Sequence, residues 1–319
     1  MITTIFISLL GFVMLYYGGE LLVRSSVNLA LKLNVSTLVV GLTVVSFATS
    51  SPELFISLQS VLDDRSSIAL GNTIGSNIAN ITLVLGISAI IYNVRVSQMN
   101  LKLNVPIMVL STLFLGLFLY FFNSITFLVG IFFVFALVVS LILIVKTSKK
   151  KYKQNNNQII LENKTHSLYK SVFILFLSVL LLKFGADFLV EGAVDIASYF
   201  NVSDKVIAVT ILAVGTSLPE LATSIVAALK KEDSLVVGNL IGSNIFNILA
   251  VLGITSIVSE VKMTDKTILS FDYIFMLLST FILVSFLYFF TKQIITRMQG
   301  VILLLIYFIY LFFTISLNI

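Results

Sequence analysis

Apolar positions gather into ten charge-poor runs, at 2–23, 38–62, 68–92, 104–122, 125–145, 168–190, 206–229, 235–258, 268–290 and 297–317. Most are continuous rather than striped, and each suits a helix crossing a hydrocarbon core of about 30 Å. The pattern predicts ten transmembrane helices with no room for a soluble domain of any size. The run at 2–23 is too long for a secretory signal, lacks a basic leading segment and contains Tyr16, Tyr17 and Glu20. It is read as the first helix.

The polar positions repeat. GNTIGSNIANITLVLG at 71–86 returns as GNLIGSNIFNILAVLG at 238–253. The low-complexity stretch 146–167, rich in Lys and Asn, divides the ten runs into five and five. Sliding the second half back by 167 residues matches 21 of the 39 positions from Thr49 to Ile87. Five is odd, so the second copy enters the membrane from the opposite face. The expectation is an all-α integral membrane protein of two inverted five-helix repeats, 1–145 and 168–319, joined by a loop at 146–167. The most repeated segments are 41–87 and 208–254. Such inverted repeats are a ground plan of secondary transporters, with the site at the bilayer midplane where the halves meet.

Composition agrees and then narrows the chemistry. The chain is 58% hydrophobic and 11% charged, with a mean hydropathy of +1.09, well outside the range of soluble domains. It has no cysteine and one histidine, His166, in the middle loop. That excludes disulfides, thiolate-held metals, haem with His or Cys ligation, and Cys–His or Ser–His catalysis. Of 20 basic residues, 15 fall in alternate loops that share one side, including the cluster from Lys146 to Lys153. Basic loops mark orientation rather than nucleic-acid binding. They predict both termini outside the cell membrane and 146–167 in the cytoplasm.

The second run carries Ser46, Thr49, Ser50, Glu53 and Ser57 on one helix face, and the seventh repeats the stripe as Ala213, Thr216, Ser217, Glu220 and Ser224. Glu53 and Glu220 are the acids nearest the centre of any run, and a carboxylate at that depth marks an ion or substrate path by default. Pro52 and Pro219 precede them and are read as mid-helix prolines that free the carbonyls of Ala48 and Gly215. Gly71, Gly75, Gly238 and Gly242 predict close helix approach. Ser76, Asn77 and Asn80, with Ser243, Asn244 and Asn247, add side-chain oxygens. Carboxylates, amides, hydroxyls and carbonyls without sulfur or imidazole suit a hard cation such as Ca²⁺ or Na⁺. Glu20 and Asp187 occupy matched positions near the ends of the first and sixth runs, where they reach water.

ATSSPEL…GNTIGSNIAN (48–80) and GTSLPEL…GNLIGSNIFN (215–247) resemble the paired alpha-repeats of the sodium/calcium exchangers, in the cation/calcium antiporter superfamily, over nearly the whole chain. The compact prokaryotic members are the most similar in length. The resemblance implies Ca²⁺ held by Glu53 and Glu220 with the carbonyls of Thr49 and Thr216. It implies flanking Na⁺ sites at Ser50, Ser76, Ser217 and Ser243 with the carbonyls of Ser46 and Ala213, and Asn80 and Asn247 lining the centre. Two departures stand out: Ala48 and Ser51 where the family reads Gly and Leu, and neutral Asn247 where some members carry Asp. The implied activity is export of Ca²⁺ in exchange for Na⁺, without an enzymatic step or a cofactor. The implied associates are the two ions and the lipid bilayer, with a monomer compatible. A Ca²⁺/H⁺ exchanger, an intramembrane protease and a passive channel are the alternatives.

Overall fold

The computed structural model describes residues 2–155, 167–200, 213–290 and 293–318. Within them, eight helices are long and apolar enough to cross a membrane, and a bent pair makes a ninth. They are α1 (Ile2–Leu33), the bent pair α2 (Thr37–Thr49) and α3 (Ser51–Leu62), α4 (Ser66–Ile91), α5 (Asn100–Phe122) and α6 (Phe127–Asn155). The second half gives α7 (Leu168–Tyr199), α9 (Asp233–Val258), α10 (Ile268–Phe290) and α11 (Arg297–Asn318), and α8 (Leu218–Leu229) is a shorter apolar helix outside those nine. The expected seventh run is represented by α8 and the turn Ala213–Gly215, while 201–212 lies outside the described residues.

Several helices outrun their apolar runs. α1 continues to Leu33, α7 to Tyr199 and α6 to Asn155, so the first part of the polar stretch at 146–167 is helical. Hydropathy marks only the part of a helix that needs lipid; packing of one helix on another carries the rest. α1 and α7 lie antiparallel along their length. An added Cβ on Gly11 would sit 2.7 Å from the Gly185 carbonyl, one on Gly185 would sit 2.9 Å from the Leu15 amide, and Gly18 meets the Leu182 backbone at 3.0 Å. Only glycine admits such backbone approach.

The centre of the bundle is α4 and α9. α9 is buried along its whole apolar window and α4 along most of its own, so most of the Ser, Thr and Asn side chains they carry face protein rather than lipid. Gly86 of α4 packs antiparallel on Gly300 of α11, and the matched Gly253 of α9 packs in the same way on Gly130 of α6. The outer helices present Phe6, Phe12, Phe173, Phe289 and Phe312 outward, the surface lipid would cover.

Two short ribbons tie the ends together. Strand β1 (Val94–Arg95) pairs antiparallel with β4 (Ile294–Ile295), and β2 (Ser124–Ile125) with β3 (Val261–Lys262). Each joins one half to the other. Two-residue strands leave no periodic signal, and hydropathy did not anticipate them.

Candidate cation site

The site is built where α2 gives way to α3. The pair is bent by 42° at Ser50, whose φ of −85° and ψ of 5° leave the helical region. Ser217, at the start of α8, repeats the geometry with φ −88° and ψ 3°. The mid-helix reading of the prolines is corrected here. Pro52 and Pro219 each stand in the first turn of a new helix, where a missing N–H costs nothing. The break falls one step earlier, at Ser50 and Ser217.

This places Glu53 third in α3 and Glu220 third in α8. Both carboxylates therefore lie at a helix N-terminus, where free amides and the helix dipole favour negative charge. Ser50-Ser-Pro-Glu53 and Ser217-Leu-Pro-Glu220 have the spacing of a local capping box, yet neither serine caps its own helix. Ser50 Oγ donates instead to Glu220 Oε1 across the two halves, at 3.4 Å. Ser76 Oγ of α4 donates to Glu53 Oε1 at 3.5 Å and shares a hydrogen bond with Thr216 Oγ1 at 3.5 Å. Each carboxylate is thus one hydroxyl away from the opposite half.

Around them the predicted oxygens assemble. Thr49 Oγ1 donates to Asn239 Oδ1 at 3.2 Å and lies 3.5 Å from Ser243 Oγ. The Ser46 carbonyl accepts from Ser50 N at 2.9 Å, while its hydroxyl donates to the carbonyls of Gly41 (2.7 Å) and Asn239 (3.0 Å). Asn247 Nδ2 donates to Asn77 Oδ1 at 3.1 Å, and Asn77 Nδ2 to the Asn244 carbonyl at 3.3 Å. Ala213 opens the short turn that leads into Thr216.

Glu53 and Glu220 are both fully buried. Glu53 Oε2, Glu220 Oε2, Ser217 Oγ, Thr223 Oγ1, the Oδ1 atoms of Asn244 and Asn247, and both amide atoms of Asn80 have no hydrogen-bond partner among the described residues. Buried polar atoms are rarely left so, and each costs about 1–3 kcal/mol. The carboxylate, hydroxyl and amide oxygens among them are the atom types a hard cation takes as ligands. Among the described residues no three His, Cys, Asp or Glu side chains come together, so neutral oxygens would have to complete any coordination shell. That donor set suits hard cations rather than Zn²⁺ or copper.

Two features escaped the sequence. A π-helical turn begins at Asn80 and another at Asn247, the wide kind of turn that recurs at functional sites. Asn72 Nδ2 donates to the Glu53 carbonyl (3.2 Å) and Ser57 Oγ (3.1 Å), and Asn239 Nδ2 to Ser224 Oγ (3.3 Å). These asparagines pin the helices that carry the carboxylates; their identity in both halves was the available signal. Close approach holds at two of the four motif glycines: Gly238 and Gly242 pack against α2. The counterparts of that part of α2 for Gly71 and Gly75 are residues 205–209, which lie outside the described residues. Replacing Asn239 by Leu is expected to strand the Thr49 and Ser224 hydroxyls and to cost about 1–3 kcal/mol. Thermal unfolding in detergent measures it.

Two buried carboxylates at broken-helix N-termini, set among neutral oxygens inside an apolar bundle, define a multi-pass membrane carrier of cations. Comparison with known proteins agrees. The sodium/calcium exchanger protein family matches residues 3–146 and 170–316. The chain is 36% identical over 310 residues to the putative antiporter CaxA of Alkalimonas amylolytica, covering 96% of each. It is 33% identical over 279 residues to the Escherichia coli inner membrane protein YrbG, covering 86% of this chain and 85% of that one. It is 31% identical over 356 residues to the sodium/calcium exchanger MaX1 of Methanosarcina acetivorans, covering 96% of this chain and 97% of that one. A structure of the sodium-calcium exchanger NCX_Mj, soaked with Na⁺ and Ca²⁺, matches with a TM-score of 0.82 at 31% identity over 97% of both chains. The chain belongs to the sodium/calcium exchanger family.

Proposed function

We propose that the protein is a secondary antiporter that exports Ca²⁺ in exchange for Na⁺ by alternating access at a single midplane site. The observation that carries this reading is the pair of fully buried glutamates, each with an oxygen that has no partner among the described residues. Glu53 and Glu220 with the carbonyls of Thr49 and Thr216 hold Ca²⁺. Ser50, Ser76, Ser217 and Ser243, with the carbonyls of Ser46 and Ala213, hold Na⁺ beside it, and Asn80 and Asn247 line the centre. The two ions compete for overlapping oxygens, so the site takes several Na⁺ or one Ca²⁺ but not both.

The architecture proposed is ten helices in two inverted five-helix repeats, 1–145 and 168–319, around that site. The antiparallel α1–α7 pair and the reciprocal ribbons between halves support it. In the cell membrane, both termini lie outside and 146–167 is cytoplasmic, consistent with the one-sided placement of the basic residues. The α1–α7 pair is the moving part. It slides across α4 and α9, which stay fixed.

Exchange rather than leak follows from electrostatics. Two carboxylates without a cation in a low-dielectric core repel each other and lack water, a cost of several kcal/mol per charge. An unloaded carrier therefore resists the passage between its two open states, and each passage carries ions.

The printed names of MaX1 and NCX_Mj, both sodium/calcium exchangers, support sodium as the counter-ion. The test is ⁴⁵Ca²⁺ uptake by proteoliposomes loaded with Na⁺, with K⁺, or with acid. Uptake is expected only from the Na⁺ load. Equal uptake driven by a proton gradient with no Na⁺ present would instead make this a Ca²⁺/H⁺ exchanger.

A further inference from the structure

The two halves match in sequence but differ in charge at the ends where they close. On one side Glu20 of α1 pairs with Arg24 one turn on, at 2.6 Å, and with Lys230 at the end of α8, at 3.2 Å. The second bond joins two separate elements and is partly shielded, the side chains being 19% and 32% exposed. Beneath it the helices touch closely. An added Cβ on Gly19 would lie 3.1 Å from the Ala222 carbonyl and 3.2 Å from Val226 Cγ2.

A shift of 167 residues carries Glu20 to Asp187, Arg24 to Glu191 and Lys230 to Asp63. Where one side has an acid between two bases, the other has three acids. Asp187 pairs instead with Lys183 on its own helix, at 2.6 Å, and Asp63 accepts from Gln59 of its own helix, at 3.0 Å. No ion pair joins α7 to α3 among the described residues. The interior follows the same division. Gly238, Asn239, Gly242 and Thr49 are buried, whereas their counterparts Gly71, Asn72, Gly75 and Thr216 are half-buried.

We propose that the Glu20–Lys230 ion pair is a latch that holds α1 against α8, and that its like-charged counterpart makes closure on the opposite side less favourable. The resting carrier is then biased toward the state closed at Lys230, which is the cytoplasmic side in the topology proposed above. The groups that face Glu20 are Arg24 from α1 and Lys230 from α8. The latch rests on the carrier reading of α1 and α7, but not on which ions are carried.

The natural chain has no cysteine, so a single reporter can be placed where α1 and α8 meet. Val226→Cys, at a side chain only 4% exposed, reads separation of the two helices through its rate of reaction with a hydrophilic maleimide. The full-length protein in lipid nanodiscs exposes both faces to reagent, without any requirement for transport. Adding Lys230→Glu should raise the rate about three- to tenfold, since an attractive pair becomes a repulsive one. Lys230→Met should give a smaller rise, and serves if the reversal folds poorly. The swap Glu20→Lys with Lys230→Glu should return the rate to within about twofold of the parent. An unchanged rate in Lys230→Glu, or a rise that the swap does not reverse, overturns the latch. Either result would leave the Ca²⁺ and Na⁺ assignment standing, because labelling reads closure and ⁴⁵Ca²⁺ uptake reads the ions.

Discussion

Glu53→Gln and Glu220→Gln are each expected to abolish Ca²⁺ exchange while leaving a folded, membrane-inserted protein. Glutamine keeps the volume and one carbonyl oxygen, so Ser76 and Ser50 retain an acceptor at 3.5 Å and 3.4 Å. What it loses is a charge in a fully buried setting. Removing one partner of a buried charge pair costs on the order of 3–5 kcal/mol, more than a hundredfold in affinity. The helix dipole that favoured the carboxylate gives a neutral amide much less, so the loss at each N-terminus is not made up locally. Stability should hold or rise, because one uncompensated charge leaves the interior. Ca²⁺ binding, exchange and thermal unfolding, measured together, separate these effects. Glu260→Gln, in a partly exposed loop position beside Lys262, is the control and should retain exchange. Near-normal exchange in either central variant would mean that its carboxylate is structural and that the ion path lies elsewhere.

Much of this was legible in the chain itself. The apolar runs located the helices because a spanning segment must satisfy its own backbone and present apolar side chains to lipid. The repeat pointed to the candidate site, since identity concentrated on Thr49, Glu53, Asn77 and their copies, polar residues in places where lipid would select against them. Three kinds of information were missing. The ends of α1, α6 and α7 are polar helix, invisible to hydropathy and supported by packing. Ser50 and Ser217 read as members of a polar stripe on a continuous helix, and only the folded chain breaks the helix there and turns Ser50 toward the other half. Matched sequence also hides unmatched environment. Asn239 accepts from Thr49, whereas Asn72 donates to the Glu53 carbonyl and has no bond from Thr216 among those described. A carrier with two equivalent halves must at any moment place them unequally. That inequality is a property of the state, not of the residue types.

A glycine of the repeat carries a second large expected effect. Gly238 faces backbone on every side: an added Cβ would lie 2.9 Å from the Leu38 carbonyl, 3.2 Å from Gly41 Cα and 3.2 Å from the Leu42 amide. Backbone cannot rotate away as a side chain would, so Gly238→Ala must push α2 off α9. Such overpacking costs about 1–3 kcal/mol, and here it bears on the helix that carries Thr49. Gly238→Ala should therefore lower the unfolding temperature and, by displacing Thr49 from the cation site, slow ⁴⁵Ca²⁺ exchange as well. An unchanged unfolding temperature would mean that α2 and α9 part without cost, and unimpaired exchange at a lowered unfolding temperature would mean that the position of Thr49 does not limit transport.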